Sequence, residues 1–523
     1  MSSTAIQSVV PEEEEGILNY LLDVRSSLAK LKQNRTQFLN SKDVQSTYQE
    51  VLTKVRELDE IRKSSNSKTL SSNDATLIHN RQLHNRVDSV LDDVFQLLSL
   101  CFLTVGLKNS APATYASLST VQSLLEHLEE SRIYTHHDLK PIKDRLDEIS
   151  KIVEKSCAQP LIESAKDNDE ITAKVASERN KNKLEQDLLL RAKLQHCIDE
   201  YNKIESNLED IDPELNGYME KLYQIRRGLL SLVALLKNTD DQTITDTELK
   251  DGLGGDRPGF SSSSSSSSFI NRKNDITEKY SLLKKQLEEV ETEVRNISDS
   301  SAPGQTRKGE SVLNGLLDDC NDLVNDLSYQ SEGQISLKIS FDPTLQEIYN
   351  KLVEIKTSLS NLMITRRWTL RETDLFSYQK QLSEIDGKRV HGKFPTESGD
   401  SKGQAILLYL LRRCYAIIYK LLESSEPVSE ALQPIHNQLS TVRRCLLELK
   451  RMGGVENERE LYPYQMKLAS LDNLRRDGKF YDADGNIPEG QGILNALLAG
   501  CFDIIHELKV EAEEREGSGS ENN

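Results

Sequence analysis

The apolar positions along this chain fall into two patterns, and both return at a fixed interval. Leu345, Ile348, Leu352, Ile355, Leu359 and Leu362 are spaced alternately three and four apart, and the same seam stands 87 positions later at Leu432, Ile435, Leu439, Val442, Leu446 and Leu449. A seam of this spacing predicts a helix that packs on its neighbour at a shallow angle, about 20° off antiparallel, as in helix bundles. The second pattern runs from Gly403 to Leu421 and again from Gly490 to Leu508, with Leu407, Leu411, Cys414 and Ile418 answered by Leu494, Leu498, Cys501 and Ile505. It stands a third time at Gly309, Leu313, Leu316, Cys320, Val324 and Leu327. Here the apolar arc is doubled, Ile406 beside Leu407, Leu410 beside Leu411 and Ile417 beside Ile418, so this helix is expected to touch two partners. Between the two patterns lies a shorter helical segment, Leu375 to Asp386 in one copy and Leu461 to Asp472 in the next. Three helices therefore make one repeat.

With that template the N-terminal half becomes legible. Ile17, Leu21, Val24 and Leu28 carry a first seam and Leu118, Val121, Leu125 and Leu128 a second, followed by third helices around Cys101 and Cys197. The expected fold is all-α, an elongated array of about five three-helix repeats stacked like a solenoid. Their expected spans are 12–107, 112–207, 212–328, 342–424 and 428–511. Residues 1–11 and 512–523 read as unfolded ends, and 238–272, with its serine run Ser261 to Ser268, as an unfolded insertion too polar to bury.

Composition narrows the class. Hydrophobic residues make up 37%, charged residues 29% and aromatics 5%, which suits helices that bury one stripe and solvate the rest. A net charge of −18 argues against nucleic-acid and anionic-membrane partners, which need surplus Lys and Arg. The 7 cysteines form no C-x-x-C pair, and Cys101, Cys197, Cys320, Cys414 and Cys501 share one repeat position, so they read as buried helix residues in a reducing compartment. Met1 to Val10 lacks the features of a signal peptide, and the apolar run Leu97 to Leu107 falls short of the ~20 residues a membrane span needs. The expectation is a soluble intracellular protein.

Candidate chemistry is sparse. Asp482, Asp484 and Gly485 imitate a calcium loop, but with Gly485 in its glycine position the bidentate Glu position holds Gln491. His136-His137-Asp138 lacks a further ligand at helical spacing, and Asp138 is placed to cap a helix. Gly252 to Gly255 opens no helix, and no triad signature occurs, so no catalytic, cofactor or metal residue is expected. A basic position recurs after the central seam residue of the first helix, at Arg25, Arg226, Lys356 and Arg443, with Gln122 in the second copy. The second helix ends on Asp59, Ser150, Glu291, Asp386 and Asp472. These rows either pair with each other or form a cationic surface for an acidic segment of another protein, extended by Arg366, Arg367, Arg412, Arg444 and Arg451. Thr369, after Arg366 and Arg367 in an expected interhelical loop, and Ser261, Ser262 and Ser263 are candidate phosphorylation sites.

The stretch Tyr464 to Phe480, with Gly485 to Gln491 after it, resembles a fungal family of long all-helical proteins of unknown function. The resemblance implies soluble cytoplasmic and nuclear proteins associated with proteostasis and stress responses, and it brings no catalytic residues with it. The reading is a non-enzymatic, phospho-regulated helical-repeat scaffold or adaptor without cofactors. The alternatives are an enzyme with a cryptic site and a nucleic-acid- or membrane-associated regulatory factor.

Overall fold

The computed structural model describes residues 10–35, 37–65, 85–131, 134–158, 170–209, 215–232, 265–299, 309–327, 329–330, 336–337, 343–390, 392–396 and 403–520. They form an all-α protein. The helices are α1 (Glu12–Gln33), α2 (Ser41–Ser65), α3 (Arg86–Thr104), α4 (Tyr115–Ser131), α5 (His136–Ala158), α6 (Glu170–Glu209) and α7 (215–232). They continue as α8 (Ser265–Asp299), α9 (Glu310–Asp326), α10 (Pro343–Thr369), α11 (Leu375–Asp386), α12 (Gln404–Glu423), α13 (Gln433–Arg451), α14 (Tyr462–Asp472) and α15 (Gln491–Ser520). The extended structure among the described residues is one antiparallel pair of two-residue strands, Tyr329–Gln330 with Ser336–Leu337, and two isolated bridges.

Taken in threes, these helices repeat one internal contact. The Cys197 thiol meets the Leu118 carbonyl at 3.8 Å, and Cys320, Cys414 and Cys501 meet Leu222, Leu352 and Leu439 at 3.7 Å each. A small side chain at this position lets the third helix approach the backbone of the first, and all four thiols are buried. The entry to the third helix has a common construction in the last two triplets. Gly490 sits at φ 106°, a left-handed position suited to glycine, and a Cβ there would lie 2.9 Å from Val428 Cα. The Gln491 side chain then brackets Phe480, taking its N–H at 2.9 Å and donating to its carbonyl at 2.8 Å, as Gln404 does for Phe394 at 3.0 and 2.8 Å.

The triplets do not stack as a one-dimensional array. The α12 helix packs on α10 and α11 of its own triplet and also on α4 and α9, and α3 packs on α11 as well as on α1, α2 and α4. The first, second and fourth triplets are tied by Lys380 to Asp93 at 2.9 Å, Gln379 to Thr120 at 3.1 Å and His127 to Asp386 at 2.9 Å. One continuous core runs from Ile17 to Leu422, while the last triplet has its own from Val428 to Ala512. The cause is the doubled apolar arc: a helix with two stripes needs a second cover, and in α12 the packed helices of distant triplets supply it.

Local expectations also shift. Thr369 ends α10 and is not in a loop, and α8 begins at Ser265, inside the stretch read as an unfolded insertion. The α15 helix continues to Ser520, with Ala512 buried in its core, because the helical stripe outlasts the acidic composition of the tail. Asp138 does not cap α5. Its carboxylate accepts the Thr135 N–H at 3.0 Å while the Thr135 hydroxyl accepts from Asp138 N–H at 3.3 Å, a capping box with Thr135 as the cap.

Candidate partner-binding face

The recurring basic positions separate in the structure. Arg25 pairs with Asp93 at 3.0 Å and Arg226 with Asp319 at 2.5 Å, both partners lying on the third helix of the same triplet. Lys356 is half-buried, and Arg443 is exposed on α13 beside Arg444. The second-helix carboxylates have partners of their own: Asp386 takes His127 and Arg389, Asp472 takes Arg475, and Glu291 takes Arg295. Burial pushes the Asp59 carboxyl up to about 7, and the carboxylate of Glu185 beside it adds to the rise. At Arg412 the Nε is sealed from solvent without a partner, and burial, followed by the Arg226 charge, lowers its pKa to about 10. The side chains of Arg366, Arg367 and Thr369, and the residues Ser261, Ser262 and Ser263, lie outside the described residues. At Asp482 the carboxylate accepts the N–H of Asp484 and of Asn486 at 3.0 and 2.7 Å, so the calcium-like loop is a turn held by its own backbone.

The third helices of the last two triplets carry the same two stripes in different surroundings. Their inner stripes are equally buried: Leu407, Leu411, Cys414 and Ile418 of α12 match Leu494, Leu498, Cys501 and Ile505 of α15. The outer stripes differ. On α12, Ile406, Leu410, Tyr415 and Ile417 are buried beneath neighbouring helices, with the Tyr415 ring edge-on to His127 of α4 at 5.3 Å. Their counterparts on α15, Ile493, Leu497 and Ile504, are only half-buried, and Phe502 is 39% exposed. Ile493, Leu497 and Ile504 pack against the core of the last triplet and stay partly open to solvent.

A second polar feature joins the triplets. Arg371, between α10 and α11, is fully buried, and its guanidinium donates to Glu430 at 2.9 Å and to the carbonyls of Leu31, Lys32, Asn34 and Gln37 at 3.3, 3.2, 2.9 and 3.2 Å. It lines a cavity of about 280 Å³ together with Glu372, Glu430, Ser425 and His436. Burial raises the pKa of both carboxyls; the Glu430 charge adds to the rise at Glu372, which Ser425 tempers by donating to it at 3.0 Å, and Arg371 offsets part of the rise at Glu430. The arrangement spends its charge on the protein's own backbone and carboxylates, which suits a joint between helices. Among the described residues, the side chains able to hold a metal ion together are Glu126, His196 and Glu200. They were missed in the sequence because their grouping needs α4 and α6 in contact; a His-x-x-x-Glu spacing alone is too common to signal it.

A family model described as "Protein of unknown function (DUF2408)" matches residues 208–372, 373–450 and 425–522. The chain belongs to this family. It is 68% identical over 513 residues to the "Cu(2+) suppressing and bleomycin sensitive protein 1" of Saccharomyces cerevisiae, covering 97% of this chain and 92% of that protein. It is 38% identical over 520 residues to the "CUB1 family protein C30C2.08" of Schizosaccharomyces pombe, covering 97% of this chain and 96% of that protein. No solved structure matches. The last matched stretch, 425–522, coincides with the triplet that carries the half-buried stripe. No helix among the described residues is long and apolar enough to cross a membrane.

Proposed function

We propose that this protein is a non-enzymatic helical adaptor of the cytoplasm and nucleus with a stress-related role, a reading supported by the words "Cu(2+) suppressing and bleomycin sensitive" in the name of its Saccharomyces cerevisiae relative. The observation that carries the adaptor role is the half-buried outer stripe of α15, Ile493, Leu497, Phe502 and Ile504, whose counterpart on α12 is covered by helices. By that internal precedent, the occupant is an amphipathic helix of another protein. Exposed Arg443 and Arg444, on the α13 helix that packs against α15, favour acidic residues at its edge.

The test is affinity capture and quantitative mass spectrometry with the full chain and an Ile493→Glu/Leu497→Glu/Ile504→Glu variant. The expected outcome is loss of specific partners with the fold retained by circular dichroism, and a growth response to copper and bleomycin in cells carrying the variant that matches that of a strain lacking the protein. Unchanged partners and a wild-type growth response to copper and bleomycin overturn the proposal.

A further inference from the structure

We propose that Glu126, His196 and Glu200 bind a divalent first-row transition-metal ion. His196 and Glu200 stand one turn apart on α6 and share a face, and Glu126 reaches them from α4. Their ligand atoms all lie within 4.8 Å of one another, and His196 Nε2 is 3.2 Å from Glu200 Oε1. Metal–ligand bonds of about 2.0–2.2 Å place tetrahedral ligand atoms roughly 3.4 Å apart. The His196–Glu200 pair therefore already has the needed spacing, and rotation of the Glu126 side chain closes the third position.

Two independent observations point to a ligand. The Glu200 Oε2 is sealed from solvent without a hydrogen-bond partner, a costly state for a carboxylate oxygen that coordination resolves. The repeat itself supplies the other. Three positions after the shared cysteine, the remaining triplets carry Thr104, Leu323, Ile417 and Ile504, so a packing position holds a carboxylate only in this triplet. Two carboxylates and a neutral imidazole match the charge of a dication, and the imidazole favours copper, zinc, nickel or iron over magnesium and calcium. Gln122 donates to Glu126 Oε1 at 3.1 Å and orients it from outside. With the His196 side chain 34% exposed, an ion can enter and the remaining coordination positions can hold water.

The experiment is calorimetric titration of the chelator-stripped full chain with Cu²⁺, Zn²⁺, Mg²⁺ and Ca²⁺. It uses a Cys157→Ser/Cys445→Ser background, because these are the thiols that are not buried. Expected are one Cu²⁺ or Zn²⁺ per chain, tighter for Cu²⁺, no comparable uptake of Mg²⁺ or Ca²⁺, and nitrogen coupling from one imidazole in the Cu²⁺ electron paramagnetic resonance spectrum. Glu200→Gln and Glu126→Gln keep side-chain shape, and each weakens binding by more than the ~10- to 100-fold that loss of an outer-shell partner costs. His196→Gln removes the nitrogen coupling, while circular dichroism shows the helices retained. Wild-type affinity in both Gln variants, or no binding of Cu²⁺ and Zn²⁺ at one per chain, overturns the proposal. The cluster and the α15 face lie in different triplets, so the metal variants leave partner capture unchanged and the two readings fail separately.

Discussion

Arg371 holds Glu430 at 2.9 Å while the rest of its guanidinium is spent on carbonyls at the end of α1 and just beyond it. One side chain thus closes the first triplet, the α10–α11 connection and the start of the last triplet onto each other. Removing one partner of a buried pair leaves an uncompensated charge and costs about 3–5 kcal/mol. Arg371→Met is expected to destabilise by that order in urea unfolding. Arg371→Lys recovers little, because an ammonium cannot serve a carboxylate and several carbonyls with one planar fork. A loss below about 1 kcal/mol for Arg371→Met contradicts the assignment.

Leu410 and Leu497 occupy the same repeat position with opposite consequences. Leu410 is buried under distant helices, so Leu410→Ala is expected to cost ~2–5 kcal/mol. Leu497 is only half-buried, so Leu497→Ala is expected to cost about 1 kcal/mol, in line with partial burial. Equal losses on parallel denaturation curves mean that the α15 stripe is already covered within the chain.

The buried network of the first triplet sets an acid limit on stability. Arg62 holds Glu14 at 2.7 Å and Asp88 at 2.9 Å, and Asn85 adds a bond to Glu14 at 2.8 Å. Burial alone would raise the Glu14 carboxyl, but Arg62 and Asn85 outweigh it and hold the pKa below its ordinary 4.5. The folded state therefore releases this proton more readily than the unfolded state. The resulting stability is present above pH ~4.5 and is lost as pH falls through the lowered folded value. Glu14→Gln is expected to be less stable at pH 7 and to lose less on acidification, measured as melting temperature against pH. An unchanged acid slope contradicts the role of Glu14.

Two glycines of the last triplet separate conformational need from tolerance. Gly490→Ala puts a Cβ against Val428 in a left-handed position and is expected to cost at least ~1–3 kcal/mol. Gly500, within α15 and with nothing within 4 Å of a Cβ, is expected to gain ~0.5–1 kcal/mol as Ala. Thermal unfolding of the two variants checks both signs.

Much of the fold was legible in the sequence because its signals are local and periodic. A heptad seam at Leu345 to Leu362, a doubled arc from Ile406 to Ile418 and a cysteine at one repeat position describe which face of each helix turns inward. They are properties of a single helix and need no knowledge of its neighbour. The cysteine-to-carbonyl contacts at Leu118, Leu222, Leu352 and Leu439 follow from them.

What the sequence leaves open is which helix covers the second stripe. Apolar burial is non-directional, so the arc on α12 and the arc on α15 look alike in sequence, and only the fold places α4 and α9 over the first. Polar placement is decided at the same level. Arg226 meets Asp319 on the third helix and not the carboxylates that end the second, and His127 meets Asp386 across 259 positions of chain. Glu126 joins His196 and Glu200 because two helices lie side by side. Such pairings depend on distances between elements far apart in the chain, which periodicity does not encode and tertiary packing alone sets.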